Sequence, residues 1–356
     1  MDTSVMITLG FLVFAIVMFA WEKIPLSITA MVVAVGLHLS GVLSAKEAFA
    51  GFVDPNVLLF MGMFVIGEAF FATGVAVGVG NVVHKFAKTE TSLLVAVMMI
   101  TGILSGFLSN TGTAAVLIPV IIGICKKSGF KQTKLLMPLV FAAAMGGNIS
   151  LIGAPGNMIA QAGLQQAGLG SFGFFDYGLV GLPILIVGTI FYATIGKRFL
   201  PDAPSHQPDG AFEGNDDYSH VPSWKKWTSA LVLILTVGAM IFEKQLGVKL
   251  YVSAWIGALV LVATNVISES AAVKSIDMKT IMLFAGSMAL GDAMVKTGTG
   301  SVIADLIVNS LGASPSPIVV LVVIFVLGVF MTNFMSNTAT CALLVPIGLS
   351  LASQLG

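Results

Sequence analysis

Long apolar blocks separated by short polar connections fill this chain from end to end. Several of them approach the roughly 20 apolar residues a helix needs to cross a bilayer. The first block covers 5–21 and stops at a Glu22-Lys23 turn, and the second covers 24–43, with Pro25 suited to its first helical turn. After the polar connection SAKEAFAGFVDPN, a third block runs over 57–78, and its continuation GNVVHKFAKTE is amphipathic and predicted to leave the bilayer. The block 92–125 is too long for one crossing and too short for two, and Ser109-Asn110-Thr111 interrupts its middle. That pattern predicts a re-entrant hairpin, two half-length helices meeting at a polar tip, which hydrocarbon tolerates only where protein or a cavity surrounds the tip. The block 135–168 is interrupted by GGNISLIGAPGN, whose glycines, proline, Asn148 and Asn157 predict an unwound stretch within a broken helix. A crossing at 176–195 closes this half, and a hydrophilic linker at 197–226 follows. Beyond it, 227–242 and 251–267 read as crossings, 280–311 as a longer, broken segment, and 316–355 as a second hairpin.

The second half repeats the first. SNTGTAAVLIP at 109–119 returns as SNTATCALLVP at 336–346, with seven of eleven positions identical. GEAFFATG at 67–74 answers GDAMVKTG at 291–298, and Glu22-Lys23 answers Glu243-Lys244. The offsets are 336 − 109 = 227, 291 − 67 = 224 and 243 − 22 = 221, so one unit of sequence has been duplicated with small insertions. The first copy takes in 1–196 and the second 227–356. The first continues past its hairpin for about 70 residues that have no counterpart in the second, so a repeat that is incomplete at its carboxyl end is expected.

Composition agrees with the pattern. Of 356 residues, 57% are hydrophobic and 10% charged, against about 25% charged in soluble domains, which marks an all-α polytopic membrane protein. Seventeen basic residues balance seventeen acidic ones, so no nucleic-acid partner is expected. Cys125 and Cys341 lie in apolar runs and do not correspond in the repeat, which suits small core residues. His206 and His220 sit in the linker without metal-ligand spacing. No cleavable leader pattern opens the chain.

A hairpin that does not cross leaves five crossings in the first copy, and an odd number inverts the second copy relative to the first. Thirteen basic residues, among them Lys126, Lys131, Lys197 and Lys225, fall on one side, while Lys46, Lys244 and Lys249 fall on the other. The thirteen-residue side, with the 197–226 linker, is therefore expected to be cytoplasmic and the amino terminus to lie outside.

An inverted repeat with two interrupted helices places its binding site near the bilayer midplane. Each triplet opens a half-helix, whose unpaired N–H groups and positive dipole end suit an anion without a fixed positive charge. Asn and Thr supply donors and acceptors, and Ser a hydroxyl and a helix cap. The same oxygens, with carbonyls freed around Gly153, suit a hard monovalent cation. A single triplet would be explained by capping and helix adhesion alone. Two in matching positions beside a Gly/Pro/Asn break point to binding. Glu68 and Asp292 also correspond in the repeat, and ionisable residues inside membrane segments are candidates for function, with structural pairing the equal alternative.

With SNT-x-T in both halves and GGNISLIGAPGN after the first, the chain resembles the divalent anion/sodium symporters of the ion transporter superfamily, along nearly its whole length. It departs from them in reading GAPGN where GTPPN is more frequent and in lacking a common additional amino-terminal span. The resemblance implies a homodimer, an elevator-type transport domain, and no cofactor beyond sodium as coupling ion. It further implies a small anionic substrate held by Asn110, Thr111, Pro155, Asn337 and Thr338. One sodium site would use Ser105, Ser109, Asn110 and the Gly153 carbonyl, and another Thr332, the Met335 carbonyl and Asn337. The function it implies is symport of sodium with a di- or tricarboxylate, or with sulfate, across the cytoplasmic membrane. A sodium/proton antiporter and an arsenite-type permease share the architecture, but neither tip carries the titratable group an antiporter needs. A transport-dead fragment is the remaining alternative. An intramembrane enzyme would need a nucleophile–base pair or metal ligands at depth, and no histidine lies in a repeated motif.

The orientation is directly testable. A cysteine introduced within 203–220 should react with an impermeant thiol reagent only from the cytoplasmic face, and labelling of intact cells from outside would reverse the topology.

Overall fold

Hydrocarbon offers no partners for backbone N–H and C=O groups, so membrane segments must satisfy them internally. The apolar blocks accordingly become helices in the computed structural model, which describes residues 2–78, 89–201, 218–311 and 316–355; among these no strand occurs. The amphipathic continuation expected at 79–88 and most of the linker, 202–217, lie outside the described residues. Among the described residues, four helices are long and apolar enough to cross a membrane: Thr3–Trp21, Pro55–Ala72, Ser223–Ile241 and Met278–Thr297.

The two interrupted blocks each become a pair of helices joined at the Ser-Asn-Thr triplet. Glu90–Ser105 is followed by Asn110–Ser128, and Pro317–Met331 by Asn337–Leu355. The leading arms have 16 and 15 residues. At 1.5 Å per residue they are about 22–24 Å long, short of the roughly 30 Å hydrocarbon core. The block around GGNISLIGAPGN divides into Thr133–Gly146 and Pro155–Gln166.

The segment 280–311 is also broken, and the repeat shows why. Met278–Thr297 stops at Gly298, whose φ is +74°, and Gly74, the matching residue after Pro55–Ala72, has the same φ. An L side chain in this left-handed region costs roughly 1–2 kcal/mol, which glycine avoids. The final Thr-Gly of GEAFFATG and GDAMVKTG is thus a helix stop. The two stops differ in surroundings: a Cβ at Gly74 would run into the Tyr218 ring, whereas nothing lies within 4 Å of one at Gly298.

The chain forms two compact units. The first combines 1–58, 158–171 and 277–356. Its centre is Met278–Thr297, which buries Leu283, Ala289, Leu290 and Met294 against Ala30, Val33 and Leu37 of the Leu26–Leu39 helix. Ala339 and Leu343 of the second hairpin join the same core.

The other unit combines 59–157 and 172–276. Here Glu90–Ser105 crosses Thr133–Gly146 where Gly102 and Gly146 meet, so close that a Cβ on Gly146 would overlap the Gly102 backbone. Leu185 covers Gly102 from the Gly178–Thr194 helix, and Leu93, Val97, Leu117, Ile121, Leu135 and Leu139 fill the space around the crossing. Ser223–Ile241 packs on Leu250–Ala263, with Thr236 against Gly257.

Gly146→Ala should therefore push two backbones apart and lower stability by about 1–3 kcal/mol. Gly10→Ala, where nothing lies within 4 Å, is the matched control. Thermal unfolding of both variants in detergent reads the difference, and equal melting would show that the crossing is not close-packed.

Candidate functional site

The first tip is built by a helix that ends, a turn of four residues, 106–109, and a helix that starts. Ser105 is the last residue of its helix and fully buried. Gly106 caps that helix, and Ser109 adopts φ −63° and ψ 139° as the N-cap of the next one. The Gly112 N–H donates to Ser109 Oγ at 3.1 Å, so this hydroxyl holds the helix start. The N–H groups of Asn110 and Thr111 belong to the first turn and have no partner within the helix. Asn110 is half-buried and Thr111 exposed.

Around Asn110 the structure gathers three groups. The inward atom of its amide lies 2.7 Å from Ser105 Oγ and 3.2 Å from the carbonyl oxygens of Ala143 and Gly153. Ser105 Oγ itself donates to the Ala143 carbonyl at 2.7 Å. With the amide nitrogen turned inward, Asn110 donates to all three neighbours. With its oxygen inward, four oxygens face one another, an arrangement a monovalent cation satisfies and another acceptor does not. Ser105 Oγ, the Asn110 amide and the Gly153 carbonyl thus lie together.

The unwound stretch is fastened by its own polar side chains. Asn157, 6% exposed, donates to the carbonyls of Gly147 and Ser150, both at 2.9 Å. Its own carbonyl accepts from the Tyr177 hydroxyl at 2.8 Å. Ser150 Oγ donates to the Gly106 carbonyl and accepts from the Ile152 N–H at 3.3 Å, tying the loop to the hairpin tip. Asn157 is thereby committed to the loop. Asn148 is exposed, and its carbonyl lies so near Gly181 that a Cβ there would overlap it. Pro155 is half-buried and opens the second half of the broken helix.

The second tip repeats the local pattern. Thr332 Oγ1 donates to Asn337 Oδ1, five residues on, as Ser105 stands five residues before Asn110. Ser336 Oγ accepts from the Ala339 N–H at 3.1 Å, as Ser109 does from Gly112. Met335 is buried and Thr338 half-buried. The tips differ in exposure: Thr332 and Asn337 are exposed, whereas the carbonyls of Ala143 and Gly153 wall Asn110.

Glu68 is half-buried in Pro55–Ala72, and Asp292 half-buried in Met278–Thr297. Lys296, one turn beyond Asp292, pairs with Glu47 at 2.8 Å. That lysine and the Ser44 cap hold the exposed Glu47 carboxyl down at about 2. Among the described residues no group of three His, Cys, Asp or Glu side chains is placed to hold a metal ion.

Sequence reasoning missed three contributors. The Ala143 carbonyl has no side-chain signal, because it is a backbone oxygen in an ordinary apolar helix. Ser150 was inside the singled-out stretch, and its burial was the missing clue. Tyr177 lies twenty residues from the carbonyl it serves.

The doubled triplet, the broken helix and the apolar helices find their match in one protein family, whose description is citrate transporter and whose profile aligns with residues 16–356. The chain belongs to the citrate transporter family. It is an integral membrane protein and a transporter, not an enzyme. Proteins similar to it include an uncharacterized transporter of Haemophilus influenzae, 27% identical over 98% of this chain and 77% of that protein. The uncharacterized transporter YfbS of Escherichia coli is 33% identical over 59% of this chain, a match that spans only 35% of YfbS. The sodium-dependent dicarboxylate transporter SdcS of Staphylococcus saprophyticus is 24% identical over 92% of this chain and 69% of SdcS. The fold resembles the crystal structure of the Alcanivorax borkumensis YdaH transporter, with a TM-score of 0.60 and 15% identity, over 100% of this chain and 84% of that one.

Replacing Asn157 by Ala should leave the Gly147 carbonyl without a donor and the Ser150 carbonyl with only the 3.4 Å bond from the Gly153 N–H, and destabilise the protein by about 1–3 kcal/mol. Asn148→Ala, at an exposed position, should stay within about 0.5 kcal/mol of the parent. Thermal unfolding in detergent measures both, and an unchanged Asn157→Ala variant would show that the loop is held by something else.

Proposed function

We propose that this chain couples sodium entry to the uptake of a small di- or tricarboxylate. The observation that carries the reading is the convergence of Ser105 Oγ, the Asn110 amide and the Ala143 and Gly153 carbonyls on one point. A neutral oxygen cage suits sodium, and the name of SdcS, a relative that aligns with 92% of this chain, pairs sodium with a dicarboxylate. Sodium sits among the Asn110 cage oxygens, with Ser109 keeping the helix start in place. A second sodium is held by Thr332, Asn337 and the Met335 carbonyl, whose tip has the same hydrogen-bond pattern. The anion is bound by Asn110 and Thr111 of one tip, Asn337 and Thr338 of the other, and Pro155 of the broken helix, through amides, hydroxyls and free helix-start N–H groups. The protein works as a homodimer in the cytoplasmic membrane, with the basic 197–226 side facing the cytoplasm.

The cation offsets the charge of the arriving carboxylates, so each ligand favours the other, by a coupling of about 1–3 kcal/mol or roughly 5–150-fold. Uptake of labelled succinate, citrate and sulfate into proteoliposomes, with and without a sodium gradient, tests this. Sodium should stimulate carboxylate uptake, and Asn110→Ala should abolish both the stimulation and the uptake while the protein still reconstitutes. Uptake that is indifferent to sodium in the parent would refute the coupling, and an Asn110→Ala variant that keeps sodium stimulation would remove the cage from the mechanism.

A further inference from the structure

One face of the Glu90–Ser105 helix lines a cavity of about 630 Å³ that contains none of the candidate site residues. Its wall changes character along its length. Thr89, Thr91 and Ser92 form one end, and Val95, Ala96, Met99 and Ile100 the remainder. From Thr89 to Ile100 the helix rises about 16 Å, close to half of the roughly 30 Å hydrocarbon core and so to the depth of one leaflet. At the hydroxyl end the Lys197 ammonium reaches Thr91 Oγ1 at 3.0 Å, and exposed Arg198 is its neighbour in the Gly196–Arg198 turn. The helix start does not supply the polarity. Thr89 and Ser92 cap each other's backbone N–H groups, both at 3.1 Å.

We infer that this groove holds one acyl chain of an anionic glycerophospholipid, with the phosphate at Lys197 and Arg198. Charge complementarity selects the headgroup: the Lys197 ammonium stands at the polar end of an apolar slot one leaflet deep, with exposed Arg198 next to it in the chain. An amphipathic peptide would need polar partners along its length, and among the described residues the wall beyond Ser92 presents only apolar side chains. A free phosphate would leave the slot unfilled. The lysine and arginine belong to the basic side of the chain, and on the orientation argued from that bias the slot opens to the cytoplasmic leaflet, where anionic lipids attract basic groups.

Native mass spectrometry of the purified full chain, delipidated and titrated with dioleoyl phosphatidylglycerol or dioleoyl phosphatidylcholine, tests the assignment. The parent should retain one phosphatidylglycerol in preference to phosphatidylcholine. Lys197→Gln should cut that preference about fivefold, and Lys197→Arg should keep it. Ala96→Trp, which fills the slot, should weaken retention of both lipids. The two lysine variants decide the matter even if the tryptophan variant fails to fold. Equal retention of the two lipids by the parent, or a preference unchanged in Lys197→Gln, would overturn the proposal.

Discussion

A helix interrupted within a membrane must find partners for the backbone groups it releases, and most of the site geometry follows from that need. The stretch from Gly147 to Gly153 frees carbonyls that the hydrocarbon phase cannot satisfy. Asn157 takes two of them, through 2.9 Å bonds to Gly147 and Ser150. Ser150 takes the Gly106 carbonyl, Ser105 takes Ala143, and Asn110 stands between Ala143 and Gly153. The oxygens near Asn157 are spent on holding the loop, and those near Asn110 are left in an arrangement that a cation can also satisfy.

Close helix approach is what lets this network form. The Ala143 carbonyl reaches Ser105 because Gly102 and Gly146 bring their helices into backbone contact a turn away, with Leu185 closing over the crossing. In a bilayer, association gains little from burying apolar area against lipid that is equally apolar, so small residues that allow dense packing carry more of the contact. In the other unit the same device seats Gly286 on the Ala30 backbone within the Met278–Thr297 core.

The two copies share their local rules and differ in their surroundings. Both helix stops have glycine at φ +74°, both tips have Ser as N-cap, and both asparagines pair with a hydroxyl five residues back. These features depend on a few neighbouring residues, which duplication carries along intact. What lies beside each copy is different: Tyr218 covers Gly74 while Gly298 is open, and backbone carbonyls wall Asn110 while Asn337 is exposed.

Much of this was legible in the order of residues. Block lengths showed which segments are interrupted, because the bilayer sets a length scale that sequence either meets or misses. The repeat marked Ser109, Asn110, Ser336 and Asn337 as equivalents, and their shared capping geometry follows from contacts of at most five residues. Glu68 and Asp292 were marked by the same correspondence, yet what each pairs with is a matter of neighbours, as Lys296 shows by bonding Glu47 from 249 positions away. The third oxygen of the Asn110 cage came only from tertiary structure. Ala143 looks like any residue of an apolar helix, and its carbonyl comes beside Asn110 through a bond to Ser105 across 38 positions. The lysine over the acyl slot is likewise joined to Thr91 across 106. Sequence determines where the backbone must break, since breaking is local chemistry. Which oxygens meet at the break depends on helix crossings, and those are settled by packing between segments distant along the chain.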